Sequence, residues 1–171
     1  MKTIYLTLLI PLFFIGSGLS QIIPKFKSSK DGIKPVVITL DTSYSANLIY
    51  VRVKEWISLN NKSPKAVTKI DNENSLVKFS CYKEKAWRIK NKGVDYWNDL
   101  QYTLTVEIKK GRCRVSYDSD DTRYKVWYNK DGSLIKNFKE AEATYETTVN
   151  ETLTSLYNHI KGTKKKSTDD W

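Results

Sequence analysis

The sequence predicts an α+β fold, a two-layer sandwich in which an antiparallel sheet carries two helices on one face. Two segments repeat apolar residues at the three- and four-residue steps of an amphipathic helix. A β-branched run precedes the first of them, and four stretches with strand character lie between the two. The order β-α-β-β-β-β-α suits a sheet that buries one face under both helices and leaves the other in water.

The first strand and the first helix begin the domain. The β-branched run 35–40 predicts the strand. Ser43 and Ser45 are both suitable N-caps for the helix, and the polar stretch 60–64 ends it. The apolar stripe of this helix consists of Ala46, Ile49, Val53, Trp56 and Ile57.

The next two strands are less regular. A short strand is predicted over 66–70, and the alternation of apolar and polar residues predicts another over 77–81. Trp87 and Ile89 prolong this second strand. A loop is then expected to start at Asn91-Lys92-Gly93 and to run to about Asp99.

The clearest strand pair follows. Apolar and polar residues alternate over 102–108 and again over 112–117, and Gly111 supplies the positive φ of a tight turn between them. Further alternation over 124–128, with apolar residues at 134–135, allows an extra hairpin, which the sequence leaves open.

The last helix covers about 137–161. Asn137 and Glu140 have the spacing of a capping box, with Asn in place of Ser or Thr, and Gly162 stands where helices commonly end. The apolar stripe consists of Phe138, Ala141, Tyr145, Val149, Leu153, Leu156 and Ile160.

Short motifs spread over 36–118 resemble a known family. They are Leu48-Ile49-Tyr50 with Trp56-Ile57, Ala66-Val67 through Ile70-Asp71, Leu76-Val77, Leu100-Gln101-Tyr102-Thr103-Leu104, and Lys110-Gly111-Arg112-Cys113-Arg114. Together they resemble a bacterial extracytoplasmic domain of unknown function with a TATA-binding-protein-like (TBP-like) fold. The resemblance covers about half of the mature chain. It implies the same element order, with no activity and no catalytic residues to carry over.

Residues 1–20 have the features of a secretory signal peptide. Lys2 precedes an apolar run over 4–15, and small residues lead to Gln21. The run is shorter than the roughly 20 residues of a membrane span, and no Cys stands at the exit to carry a lipid anchor. We expect an exported, periplasmic or extracellular protein.

The mature chain is expected to hold one domain. An irregular leader over 21–34 precedes a single domain over 35–162, and a disordered polar tail covers 163–171. The net charge of +10 suits an anionic partner. General solubility explains it as well, because the lysines are spread along the chain.

The sequence predicts neither an enzyme nor a metal or cofactor site. The chain has one histidine, His159, at the end of the last helix, where a surface or cap role is expected. The acidic run 118–121 lacks the pattern of a calcium loop. Asp95 and Asp99 lie in one predicted loop with nothing to orient them as a glycosidase pair. Phosphate-loop, nucleophile-elbow and zinc-helix motifs are absent from the sequence.

Cys81 and Cys113 are the two thiols of the chain. In a simple meander one strand separates them, which places them about 9–10 Å apart, beyond the reach of a disulfide. We therefore expect two free thiols. A disulfide, which an oxidising compartment permits, would require another strand order.

Aromatic and basic residues in or beside the loops, together with the basic outer face of the sheet, form a candidate binding surface. Aromatic rings stack on sugars and cations, and aromatic–Arg surfaces are typical of binding hot spots. The alternative is that these aromatic residues cover the open edge of the core. The candidate residues are Trp87, Arg88, Tyr96, Trp97, Arg112, Arg114, Trp127 and Tyr128.

The combined hypothesis is an exported, non-enzymatic binding or interaction domain whose partner is an envelope protein or a glycan. Nucleic acid is not expected as a partner, because a saddle-shaped DNA binder uses two such units with exposed Phe wedges. Two alternatives stay open: an enzyme using carboxylates and tyrosines, and a purely structural homo-oligomeric module of the envelope.

Overall fold

A computed structural model describes residues 23–119 and 122–162. The predicted signal peptide and the predicted polar tail lie outside the described residues. The elements in chain order are β1 (Val36–Thr39), α1 (Ala46–Asn60), α2 (Pro64–Val67), β2 (Thr68–Asn72), β3 (Leu76–Asn91), β4 (Val94–Lys109), β5 (Arg112–Asp118), two 3-10 turns (Arg123–Trp127 and Lys136–Phe138) and α3 (Lys139–Lys161).

All five strands form one antiparallel sheet in the order β1-β5-β4-β3-β2. The long helices α1 and α3 contact each other and lie on the same face of the sheet, so the predicted two-layer α+β class is confirmed. In the described part of the chain, neither helix is long and apolar enough to cross a bilayer.

The core lies between this helix layer and the sheet. Alternate residues of the strands face inward, and Phe79, Leu104 and Val115 are fully buried. They meet the inward stripes of α1 and α3, where Ile49 and Leu153 are equally buried. Burying such side chains contributes about 1.5–3 kcal/mol each and fixes which face of the sheet is left to solvent.

Two predictions about the helix ends are confirmed and one is wrong. Ser45 caps α1, since its side chain accepts a hydrogen bond from the Leu48 amide at 3.1 Å. Gly162 ends α3 in the left-handed conformation at φ 73°. The predicted capping box of the last helix is wrong: Phe138 stands at the N-cap without a side-chain cap bond, and Glu140 turns instead to Arg88.

The predicted loop over 91–99 is wrong. β3 and β4 have 16 residues each and run out together to a tight turn at Lys92 and Gly93, whose φ values are 48° and 83°. Two successive positive φ values fit a type I′ turn, which matches the twist of paired strands. The distal part of this hairpin extends past the strand pairing of β5, so its residues lack the one-sided burial that creates an alternating pattern.

Of two smaller elements, one differs from prediction, and the sequence left the other open. The segment predicted as a strand from 66 begins as the short helix α2, and β2 then covers Thr68–Asn72. The extra hairpin that the sequence left open is a 3-10 turn over Arg123–Trp127 followed by a single bridge between Tyr128 and Leu134.

The outer edge of β3 is covered by α3 along the distal hairpin. Thr148 Oγ1 donates to the Ala86 carbonyl at 2.5 Å, and the Arg88 amide donates to Thr144 Oγ1 at 3.2 Å. Two threonines of the helix thus satisfy backbone groups that a neighbouring strand would otherwise bind.

The leader forms no helix or strand over 23–34, yet it packs against the domain. Phe26 is fully buried and meets the ring of Tyr117 edge-on at 6.0 Å between centroids. The Ser28 amide and hydroxyl both donate to Glu146 of α3. The leader therefore closes one side of the core.

Both thiols are free in the structure. Cys81 of β3 pairs with Tyr102 and Cys113 of β5 pairs with Ile108, so β4 lies between them. Burial raises the pKa of each thiol to about 12, which keeps both protonated near neutral pH.

Candidate functional site

The face of the sheet opposite the helices is uncovered in the described part of the chain, and we call it the open face. Strand register assigns its residues. In the middle stand short hydroxyl side chains, and towards the two ends stand charged and aromatic ones. The open face comprises Val37, Thr39, Ile70, Asn72, Leu76, Lys78, Ser80, Tyr82, Arg88, Lys90, Asp95, Trp97, Asp99, Gln101, Thr103, Thr105, Glu107, Lys109, Arg112, Arg114, Ser116 and Asp118.

The predicted binding residues on this face fall at its opposite ends. Arg88 pairs with Trp97 at the start of β4, and Arg114 pairs with Glu107 near its end. Trp97 and Glu107 are ten positions apart, about 34 Å along an extended strand. The structure therefore separates two groups that the sequence analysis treated as one surface.

Three of the predicted surface residues belong to the interior. Trp87 and Trp127 are each only 1% exposed and pack edge-on with ring centroids 5.1 Å apart. Tyr128 is half-buried, and its hydroxyl lies 2.6 Å from Glu142 and 2.8 Å from Ser28. The Trp87 side chain points into the core because its position on β3 faces α3. The 3-10 turn over Arg123–Trp127 places the Trp127 ring against it. The prediction that these residues form a binding surface is wrong.

Tyr96 lies in the same hairpin as Trp97 but on its other side, because side chains alternate along a strand. It is 55% exposed, and Trp97 is 47% exposed. Only Trp97 belongs to the open face.

Trp97 is fixed by its neighbour across the hairpin. The Arg88 guanidinium lies over the indole ring, 5.5 Å from the ring centroid. The same guanidinium binds Asp95 at 2.8 Å and contacts Glu140 at the start of α3. Its backbone amide also donates to Thr144 of α3, so Arg88 is held by contacts with β4 and with α3.

Beside this pair stands a fixed carboxylate. Asp99 Oδ2 accepts from the Tyr82 hydroxyl at 2.7 Å, and Asp99 Oδ1 accepts from the Lys85 amide at 2.9 Å. The Lys85 amide, and then the Tyr82 hydroxyl, lower the pKa of Asp99, while the hydrogen bond to Asp99 raises the pKa of Tyr82. Asp99 therefore stays ionised and accepts hydrogen bonds at any ordinary pH.

We call this group the aromatic end of the open face: Tyr82, Arg88, Trp97, Asp99 and Gln101. Its rings are exposed, with Tyr82 at 61%. Donors, acceptors and a π face lie within one strand pair, an arrangement that can bind a polar ligand with an apolar side.

The opposite end of the open face is basic. Arg112 and Arg114 are exposed, and Arg114 lies 3.7 Å from Glu107. With Val37 and Lys109 they border a shallow depression of about 200 Å³. An exposed ion pair of this length contributes at most about 1 kcal/mol, so these side chains remain able to change partners.

Sequence reasoning missed Tyr82 and Gln101 and weighed Asp99 only as a catalytic acid. Their shared face depends on the bulge between Lys83 and Trp87, which the sequence does not show. Lys85 in that bulge adopts φ 49°, a conformation uncommon for a residue with a side chain.

Metal-binding and histidine chemistry have little support among the described residues. No cluster of three or more His, Cys, Asp or Glu side chains is found within 23–119 and 122–162. His159 stands near the end of α3 with Nε2 3.5 Å from Glu55, at the helix end where a cation is favourable.

Two solved structures are similar to this chain. A DUF4468 family protein from Bacteroides ovatus has a TM-score of 0.50 and 12% identity, over 82% of this chain and 88% of its own. A TBP-like protein from Parabacteroides distasonis has a TM-score of 0.56 and 11% identity, over 83% and 99%. No protein-family model and no curated protein matches the sequence. At such identities the likeness concerns the fold, and the chain is therefore an α+β domain with a TBP-like fold, as its sequence motifs predicted.

Proposed function

We propose that this chain is an exported, non-enzymatic binding domain and that the aromatic end of its open face binds an envelope glycan. The observation that carries the proposal is the exposed Trp97 ring, fixed by Arg88 and standing beside the ionised Asp99. An aromatic face packs against the C–H side of a sugar ring, while a carboxylate and a guanidinium bind its hydroxyls with charge-assisted hydrogen bonds.

Preorganisation supports this site over the basic end. Arg88 has partners on both β4 and α3, and Asp99 has two donors of its own, so neither side chain must be ordered when a ligand arrives. Immobilising a flexible side chain costs about 0.5–1.5 kcal/mol on binding, and the aromatic end avoids much of that cost.

The direction of the Asp99 pKa argues against a general-acid role for this carboxyl. A general acid for glycoside cleavage needs a raised pKa, so that it holds a proton near neutral pH. The pKa of Asp99 is lowered by its two hydrogen-bond donors. Asp99 is suited to orient a hydroxyl and unsuited to protonate a leaving group.

Export is supported by the sequence of residues 1–20, and the proposal places the protein in the periplasm or outside the cell. Cell fractionation, together with N-terminal sequencing of the mature protein, tests this part. A mature chain that begins near Gln21 in an extracytoplasmic fraction is the expected result, and an uncleaved cytoplasmic chain would contradict it.

Glycan binding is tested by a glycan array, followed by calorimetric titration of the best oligosaccharide. Trp97→Ala is expected to weaken binding at least tenfold, because it removes the stacking surface, and Asp99→Asn about fivefold. Tyr96→Ala is the matched control, since it deletes an equally exposed aromatic ring from the other side of the same strand. Equal losses in Trp97→Ala and Tyr96→Ala would show that the open face is not the site.

A further inference from the structure

We propose that a groove beside β2 binds an extended acidic peptide, which adds to the sheet as a sixth strand. The groove lies at one margin of the helix layer, away from the aromatic end. The inference is independent of the proposed glycan site and adds a second, protein-directed binding surface.

The position of β2 in the sheet is the first observation. β2 is at the end of the strand order and pairs with β3 on one side, from Thr68 opposite Phe79 to Asn72 opposite Leu76. Within 23–119 and 122–162, no strand pairs with its other side. An edge strand presents backbone donors and acceptors to which an extended peptide can bond.

The second observation is a groove of about 850 Å³ at this edge, between β2 and the two helices α1 and α2. Its lining is mainly apolar. Side chains alternate along a strand, so every second residue of an added strand would point into the groove. The residues that shape it are Ile57 and Ser58 of α1, Pro64 and Ala66 of α2, and Thr68 and Asp71 of β2.

One end of the groove is rigid. Asp71 accepts a hydrogen bond from the Tyr50 hydroxyl at 2.8 Å and forms an ion pair with Lys54, so two residues of α1 are tied to the edge strand. These contacts hold helix and strand at a fixed separation. A ligand therefore meets a preformed groove, which lowers the cost of binding.

Charge selects the occupant. Lys65 lines the groove, and Lys62 and Lys69 are exposed beside it, with Lys69 Nζ 3.4 Å from Thr103 Oγ1. The one acid that lines the groove, Asp71, is already paired with Lys54, and Glu73 stands past the end of the strand. An acidic peptide complements these lysines.

The same charges disfavour a second copy of the chain at this edge. A second copy would bring its own Lys62, Lys65 and Lys69 to this edge, while its Asp71 is already paired with Lys54, so it would complement the lysines less well than an acidic peptide. The occupant that fits is an extended segment in which apolar residues alternate with Asp or Glu.

The test is a titration followed by amide chemical shifts of the isotopically labelled protein. The probe is an octapeptide of alternating valine and glutamate. The expected result is saturable amide shifts confined to 57–72, with a Kd below about 1 mM. A peptide of alternating valine and lysine is expected to produce none.

Variants of the protein sharpen the test. Lys65→Glu reverses one charge and is expected to weaken binding at least fivefold, and Ala66→Trp fills the groove and is expected to abolish it. Lys92→Glu, a matched charge reversal at the distant hairpin turn, is expected to leave binding unchanged.

Four outcomes would overturn the inference: no shifts at about 1 mM peptide, shifts spread over the open face, equal binding of the lysine peptide, or concentration-dependent self-association through 68–72. Glycan binding measured on Ala66→Trp separates this inference from the proposed function, because the groove variant is expected to retain it. Failure of one site therefore leaves the other to be judged by its own data.

Discussion

The side-chain amide of Asn150 forms hydrogen bonds with both the backbone N–H and the backbone carbonyl of Phe26. The Phe26 N–H donates to Asn150 Oδ1 at 2.8 Å, and Asn150 Nδ2 donates to the Phe26 carbonyl at 3.0 Å. These two hydrogen bonds mimic strand pairing with a single side chain. They seat the Phe26 ring in the core, so the leader contributes to the stability of the domain.

Phe26→Ala is expected to lower the free energy of unfolding by about 3–5 kcal/mol, because it removes a fully buried ring and leaves a cavity. Asn150→Ala is expected to cost about 1–3 kcal/mol, since it leaves two backbone groups without partners. Urea denaturation measures both. Lys25→Ala, at an exposed position of the same segment, is the control and is expected to change stability by less than about 0.5 kcal/mol.

Arg88 links the distal hairpin to the start of α3, and its removal is expected to affect stability and binding together. Arg88→Gln leaves Asp95 and Glu140 without their shared cation and frees the Trp97 ring. We expect a stability loss of about 1 kcal/mol, discounted because the pair is partly exposed, and a loss of glycan affinity. Arg88→Lys restores the charge without the planar guanidinium and is expected to recover only part of the binding. Full recovery would show that charge alone positions the site.

The acid limb of stability is expected to depend on Asp71 and Asp99. The pKa of Asp71 is lowered first by Lys54, and that of Asp99 first by the Lys85 amide. A carboxyl whose folded pKa lies below its unfolded value, near 3.8, stabilises the fold above that value. This contribution disappears as the pH falls through the folded pKa. The urea concentration at the unfolding midpoint, measured from pH 5 downwards, is expected to decrease once the pH is lower than about 4. This decrease is expected to be less steep in the Asp71→Asn, Asp99→Asn double variant.

The two thiols are expected to be inert in the folded protein. Their pKa near 12 leaves almost no thiolate at pH 8, and Cys113 is buried while Cys81 is half-buried. Alkylation with iodoacetamide is expected to label neither cysteine in buffer and both in concentrated urea. Intact mass after mild oxidation is expected to correspond to two thiols, and a mass lower by two hydrogens would contradict the strand order.

Elements with one buried face could be predicted from the sequence. The stripe that ends in Trp56 and Ile57 identified α1, and the alternation over 102–108 identified the second half of β4. Gly162 marked the end of α3. In each case burial on one side imposes a period on the residues, and a period can be read from the sequence.

The distal hairpin and its site could not be predicted in the same way. Val94, Tyr96 and Trp97 are all exposed, so both faces of the strand carry similar residues and no period arises. Trp87 and Trp127 were wrongly predicted to lie on the surface, because a large aromatic residue beside a predicted loop occurs both in binding surfaces and in cores. Only the strand register, which pairs Trp87 with Asn98 and turns the Trp87 side chain towards the helices, distinguishes a core position from a surface position.

Thr144 and Thr148 give the long hairpin a property that its sequence alone would not suggest. A neighbouring strand would satisfy the outer edge of β3 and expose a fresh edge beyond it, so pairing could continue from molecule to molecule. The threonine hydroxyls of α3 bind the edge of β3 through side chains, so they present no further strand edge to which another chain could pair. α3 therefore limits further strand pairing along the β3 edge of the hairpin.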